Sequence, residues 1–167
     1  GFVEIDAVPQ EDVHIQLVWD TPADPDQTDD NGTDLDLHYK RPEGDWNVAP
    51  GDVFWKNKSS EWPPSGPDAN PSLDIEDVNG RGPENINQEF PKADVDYQVG
   101  VFYFDDNGFG ESYATVRIYL NGTLRKEFEN KFLEETFDFW YVGLVDWGEK
   151  AIYPRDVISQ GFPGAGN

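Results

Sequence analysis

No stretch of the chain keeps apolar residues at a helical spacing for three turns, because Gly and Pro, 16 and 13 in number, cut it into short apolar segments. Strands are therefore predicted throughout. Val13, Ile15, Leu17 and Trp19 alternate with His14, Gln16, Val18 and Asp20 up to the break at Thr21-Pro22, the pattern of a half-buried strand. Leu35, Leu37 and Tyr39 alternate with Asp34, Asp36 and His38, which predicts a strand with one wholly polar face. Short strands are expected near 52–56 and 73–78, separated by a Pro/Ser/Gly-rich excursion from Ser59 to Pro71 that is longer than the usual connection. Asp96 to Phe104 is apolar on both faces, as a central sandwich strand requires. Tyr113 to Leu120 and Leu124 to Phe128 flank Asn121-Gly122, a hairpin signal, and Phe137 to Trp147 reads as another long strand. Roughly eight to ten short strands fit an all-β, two-sheet antiparallel sandwich of immunoglobulin-like or jelly-roll type. The expected organisation is a single domain over 1–158 followed by a linker or tail over 159–167.

Charge narrows the function. Acids outnumber Lys and Arg 34 to 12, a formal net charge of −22. Nucleic acid and anionic membrane surfaces need a basic footprint and are excluded as sequence-independent partners. Aromatic residues make up 14% of the chain, which sets it apart from disordered acidic segments. With no Cys and only His14 and His38, neither a disulfide nor a structural zinc site of the usual N/S type can be assembled, which leaves hard, oxygen-binding cations. There is no run of about 18 apolar residues, so direct membrane insertion is not expected. The lack of any Met predicts a mature fragment or an excised domain of a longer parent polypeptide.

The acids are concentrated where strands begin and end. Asp20, Asp24, Asp26, Asp29, Asp30, Asp34 and Asp36 fall within 17 residues that contain no cation. Like charges so close spread into water, raise one another's pKa, or bind a cation. A strand holds Asp34 and Asp36 on one face about 7 Å apart, within reach of one ion. Asp52 opens a strand, and Asp74-Ile75-Glu76-Asp77 forms a further cluster. Calcium suits such a set because it takes oxygen ligands in flexible geometry, while the EF-hand register is missing. The candidate metal ligands are thus Asp20, Asp24, Asp26, Asp34, Asp36, Asp52, Asp74 and Asp77, with loops at one end of a sandwich expected to converge. His38 follows Asp34 and Asp36 on the same face, placed to hydrogen-bond a ligand carboxylate. The competing reading is a solvated acidic face that maintains solubility.

Four stretches together resemble the YfaP-like family of bacterial extracytoplasmic β-sandwich domains: Trp19-Asp-Thr-Pro; Asp34-Leu-Asp-Leu-His38 followed by Arg41-Pro-Glu-Gly44; Ser72-Leu-Asp-Ile-Glu-Asp-Val-Asn-Gly-Arg-Gly-Pro-Glu-Asn-Ile86; and Tyr97-Gln-Val-Gly-Val-Phe-Tyr-Phe104 with Ala114-Thr-Val-Arg-Ile-Tyr119. The resemblance implies export, a sandwich fold, and a place as a module of a larger envelope or secreted protein. It implies no reaction. Asp34, Asp36, Asp74 and Asp77 fall inside the matching motifs, with Glu84 nearby in sequence, and Gly80-Arg-Gly-Pro-Glu84 reads as a tight turn.

The function expected is that of a non-enzymatic, calcium-binding extracellular module for adhesion or assembly, with a surface protein or a glycan as partner. A carbohydrate-binding module is the alternative, with Trp46, Trp55 and Trp62 in or beside loops as stacking platforms. An enzyme is not expected: there is no Gly-x-Ser-x-Gly, no His-Glu-x-x-His and no phosphate loop.

Overall fold

The computed structural model describes residues 8–62, 70–75 and 80–164. Among these residues ten strands follow one another: β1 Val13–Asp20, β2 Asp34–Lys40, β3 Asp52–Val53, β4 Ser72–Ile75, β5 Glu84–Gln88, β6 Asp96–Asp105, β7 Ser112–Leu120, β8 Thr123–Leu133, β9 Asp138–Asp146 and β10 Ala151–Gln160. They form two antiparallel sheets, one ordered β4-β5-β1-β7-β8 and the other β10-β9-β6-β2-β3. The architecture is a two-sheet β-sandwich.

Alternation produces the core. Val13, Ile15, Leu17 and Trp19 of β1 point inward with Ala114, Val116, Ile118 and Leu120 of β7, their register running from Val13↔Leu120 to Trp19↔Ala114. Leu35, Leu37 and Tyr39 of β2 meet them from the other sheet with Tyr97, Val99, Val101 and Tyr103 of β6. Trp140, Val142 and Val145 of β9 complete this layer.

Three sequence expectations change. The polar face of β2 is not a solvated one: Asp36, His38 and Lys40 are all buried. The reason is a third layer on the outer face of the β2-containing sheet, where Trp46 from the β2–β3 loop packs with Phe102 and Phe139, flanked by Tyr141 and Phe162. Residues 159 and 160, expected in a linker or tail, belong to β10, and Phe162 packs on this layer, its ring 4.3 Å from that of Phe102 and 5.3 Å from that of Phe139. Two strands went unread, β5 and β10; the Glu-Asn-Ile-Asn-Gln segment of β5 is polar in sequence yet buried along its whole length. Conversely, β3 is only Asp52–Val53, shorter than the strand expected over 52–56.

The third layer needs Gly100. A Cβ there would lie 2.5 Å from Phe139 Cζ and 3.1 Å from Trp46. Gly100→Ala is therefore expected to destabilise the fold by about 1–3 kcal/mol through overpacking, measured as a lower urea midpoint at unchanged slope.

Candidate metal centre

β2 is the foundation of the site. Its inward residues anchor it in the core, which turns Asp34 and Asp36 to the opposite side. β3 pairs only with Tyr39 and Lys40, so it leaves the edge of β2 open from Asp34 to His38. Glu84, the first residue of β5 in the facing sheet, reaches across this seam, and its Oε2 accepts the N–H of Leu37 at 2.7 Å. Asp34, Asp36 and Glu84 thereby each offer a carboxylate oxygen, all within 4.8 Å of one another. Asp36 is 3% and Glu84 1% exposed, while Asp34 is half-buried.

Two devices hold these residues in place. The turn before β5 descends on β1 and on the β1–β2 loop. Gly80, at φ 108°, stands where a Cβ would be 2.8 Å from the Cα of Gly32, and at Gly82, at φ 84°, a Cβ would be 2.8 Å from the carbonyl oxygen of Leu17. Any side chain at either position would push Glu84 away from β2, so the glycines serve the approach as well as the turn. The N–H of Trp19 donates to the carbonyl of Arg81 at 3.0 Å and fixes the same turn. Beside it runs a buried hydroxyl chain: Trp19 Nε1 donates to Thr33 Oγ1 at 3.0 Å, and Thr21 Oγ1 lies 2.7 Å from both Thr33 Oγ1 and Ser112 Oγ. It anchors the residue immediately before Asp34.

Electrostatics give the cluster its chemistry. At an effective dielectric of about 20, two charges about 5 Å apart repel by about 3 kcal/mol. Three carboxylates gathered this closely, two of them buried, are relieved by protonation or by a cation. Their oxygens are hard donors, which fits calcium and magnesium rather than soft metals.

The other expected ligands lie elsewhere. Asp20 Oδ1 accepts from Gln27 Nε2 at 2.8 Å, and Asp24 Oδ1 from the N–H of Asp26 at 2.9 Å. Asp26 accepts from both the hydroxyl and the N–H of Thr28, the hydroxyl bond being the larger cause of its lowered pKa. Asp24 and Asp26 shape their own loop through Asx turns, and Asp20 is tied to it through the Gln27 side chain. Asp52 is buried and its Oδ2 accepts from His38 Nδ1 at 2.6 Å and from the N–H of Asn47 at 2.7 Å. His38 thus bonds the carboxylate of Asp52, an acid outside the converging trio, rather than Asp34 or Asp36 beside it on β2, and its ring stacks on Phe54 at 5.0 Å. The pair clasps the β2–β3 loop to β2. Asp74 accepts from Ser72 Oγ at 2.7 Å and from Asn87 Nδ2. Asp77 lies outside the described residues.

The expected meeting of the 20–36, 52 and 74–77 segments is therefore replaced, among the described residues, by Asp34 and Asp36 with Glu84. Glu84 stands in the sequence only as an acid near the candidate ligands and as the end of a tight turn, and its structural signal is the pair of glycines that brings the turn down on β1 and the β1–β2 loop. Of the loop indoles, Trp46 and Trp62 are buried, Trp62 stacked on Tyr97 at 5.7 Å. Trp55 alone is half-buried, edge-on to the exposed Phe104 at 5.9 Å. No family model, curated protein or solved structure matches the chain.

Proposed function

We propose that the chain is a calcium-binding, non-enzymatic module of a bacterial extracellular or cell-envelope protein, serving adhesion or assembly. The observation that carries this reading is the meeting of Asp34, Asp36 and Glu84 within 4.8 Å across the seam between the sheets. Three carboxylates supply up to six oxygens, and carbonyls or water complete the six to eight that calcium takes at about 2.3–2.6 Å. Magnesium demands near-ideal octahedral geometry and keeps several waters, which suits a trio of carboxylates on strands, two of them buried, less well. The resemblance of the Asp-Leu-Asp-Leu-His and Gly-Pro-Glu-Asn-Ile motifs to exported sandwich modules supports the extracellular setting, where calcium is abundant, and the surface partner that adhesion requires.

An ion that binds only the folded chain stabilises it by mass action, by about 2.7 kcal/mol at a hundred times Kd. For a domain of this size that raises Tm by about 5–10 °C. Thermal unfolding in 2 mM calcium and in excess chelator, at constant ionic strength, reads the difference directly. Equal melting temperatures would overturn the reading.

A further inference from the structure

A polar groove of about 250 Å³ lies apart from the carboxylate trio. Ser72 and Asp74 of β4, with Asn70 just before them, line it together with Asn87 of β5 and the acids Glu89 and Glu11. Glu84 begins β5 and Asn87 lies near its end, so the groove and the trio occupy different ends of that strand. The volume falls just below the roughly 300–1,000 Å³ of sites that bury a drug-sized molecule, which leaves room for one sugar-sized ring. Among the described residues that line it there is no Lys and no Arg.

The strands fix its polar groups before any ligand arrives. Ser72 and Asn87 are cross-strand partners, and His14 of β1 pairs with Asn87 from the other side. Ser72 Oγ donates to Asp74 Oδ1 at 2.7 Å, Asn87 Nδ2 donates to Asp74 Oδ2, and His14 Nδ1 donates to Asn87 Oδ1. Such preorganisation lowers the cost of binding. Each group keeps capacity: the carboxamide nitrogen has a second hydrogen, and the hydroxyl and carboxylate oxygens have further lone pairs. The carboxamide face of β5 is not saturated by internal bonds either, since Asn85, two residues from Asn87 on the same face, is buried and its Oδ1 accepts none. Beyond Glu89 stands Phe90, 66% exposed. Its backbone takes φ 50°, and its N–H donates to Asp12 Oδ2 at 2.9 Å. A bulky aromatic held in the left-handed region without being buried gains little from packing, and its ring is a flat apolar surface beside the groove.

This lining selects its ligand. Glu89 has a raised pKa, through burial first and then the charges of Asp12 and Glu11, so no cation balances that end and an anionic ligand is repelled. A metal ion is not favoured, because the acids that converge for one among the described residues are Asp34, Asp36 and Glu84. An ammonium group has only donors and would leave the carboxamide hydrogens unused. A hydroxyl donates and accepts at once, which matches carboxylates set beside carboxamides.

We propose that this groove binds a neutral sugar residue of a surface glycan, its hydroxyls held by Asp74 and Asn87 and its apolar face laid on Phe90. The site is separate from the calcium centre and does not need the ion.

An array of immobilised glycans, probed with the full chain in 2 mM calcium and again in excess chelator, tests this. The chain should be retained on glycans ending in a neutral hexose or N-acetylhexosamine, equally in both solutions, and not on those ending in sialic acid or a uronate. Asp74→Ala and Phe90→Ala should each weaken retention by about tenfold or more. Both residues are exposed, so both variants should melt with the wild type. No retention on neutral glycans, or retention on acidic ones alone, would overturn the proposal. Retention lost in chelator would also overturn it, by assigning the sugar to the calcium centre, whereas failure of the sugar site leaves the calcium-dependent melting untouched. Wild-type retention by either variant refutes the groove, and should Asp74→Ala melt lower, Phe90→Ala decides.

Discussion

Glu84→Gln will abolish the calcium-dependent rise in melting temperature, and in chelator it will melt no lower than the wild type. The amide retains an oxygen able to accept the Leu37 N–H, so the tie between β5 and β2 survives. What it removes is one of three converging negative charges. Calcium affinity depends on ligand charge, and a loss of at least a hundredfold is expected, visible in calorimetric titration as heats indistinguishable from dilution. The behaviour in chelator separates a metal ligand from a structural acid. Relief of repulsion among the carboxylates leaves the metal-free variant as stable as the wild type or more so. A purely structural Glu84 would instead give the same loss with and without calcium, and that outcome would exclude the site.

Asp52→Ala has the opposite signature. His38 and Asp52 are both buried and joined at 2.6 Å, and the same carboxylate oxygen accepts the N–H of Asn47. Removing it leaves the buried Nδ1 of His38 and the N–H of Asn47 without this acceptor and frees the β2–β3 loop that carries Trp46. Truncating one member of a buried pair of this kind costs about 3–5 kcal/mol, a large part of the stability of a domain. Tm should fall by about 6–20 °C for a chain of this length. The fall should be the same in calcium and in chelator, because Asp52 is not among the converging carboxylates. Loss of the calcium increment in Asp52→Ala, with its stability in chelator intact, would return this residue to the metal site.

The legible parts of the fold were those written in nearest-neighbour patterns. Alternation in Val13 to Trp19 and in Leu35 to Tyr39 identifies strands and their buried faces, and Asn121-Gly122 marks a hairpin whose two central residues take φ 50° and 75°. The segment Glu84 to Gln88 escapes this reading because its polar side chains find partners that are remote in sequence: Glu84 bonds the Leu37 N–H, Asn87 bonds Asp74, and Gln88 accepts from the hydroxyl of Tyr39 at 2.7 Å. A strand that satisfies its polar groups in this way needs no apolar alternation to be buried. Phe162 is a similar case, since it is partly buried only by the layer that Trp46 and Phe139 build.

The site divides along the same line. Asp34 and Asp36 are paired by strand geometry alone, so the sequence by itself determined that two carboxylates share a face, and that an acidic chain without Cys offers them only to a hard cation. Which third acid joins them was decided by the tertiary structure. Asp52 is separated from Asp36 by 16 positions and Glu84 by 48, yet Asp52 turns to His38 and Glu84 crosses the seam. The physical reason is that β3 is too short to cover the edge of β2. An uncovered Leu37 N–H needs an acceptor, and the turn at Gly80 and Gly82 delivers one from the opposite sheet. Strand length and sheet-to-sheet packing are properties of the assembled sandwich, and no local pattern around Glu84 encodes them.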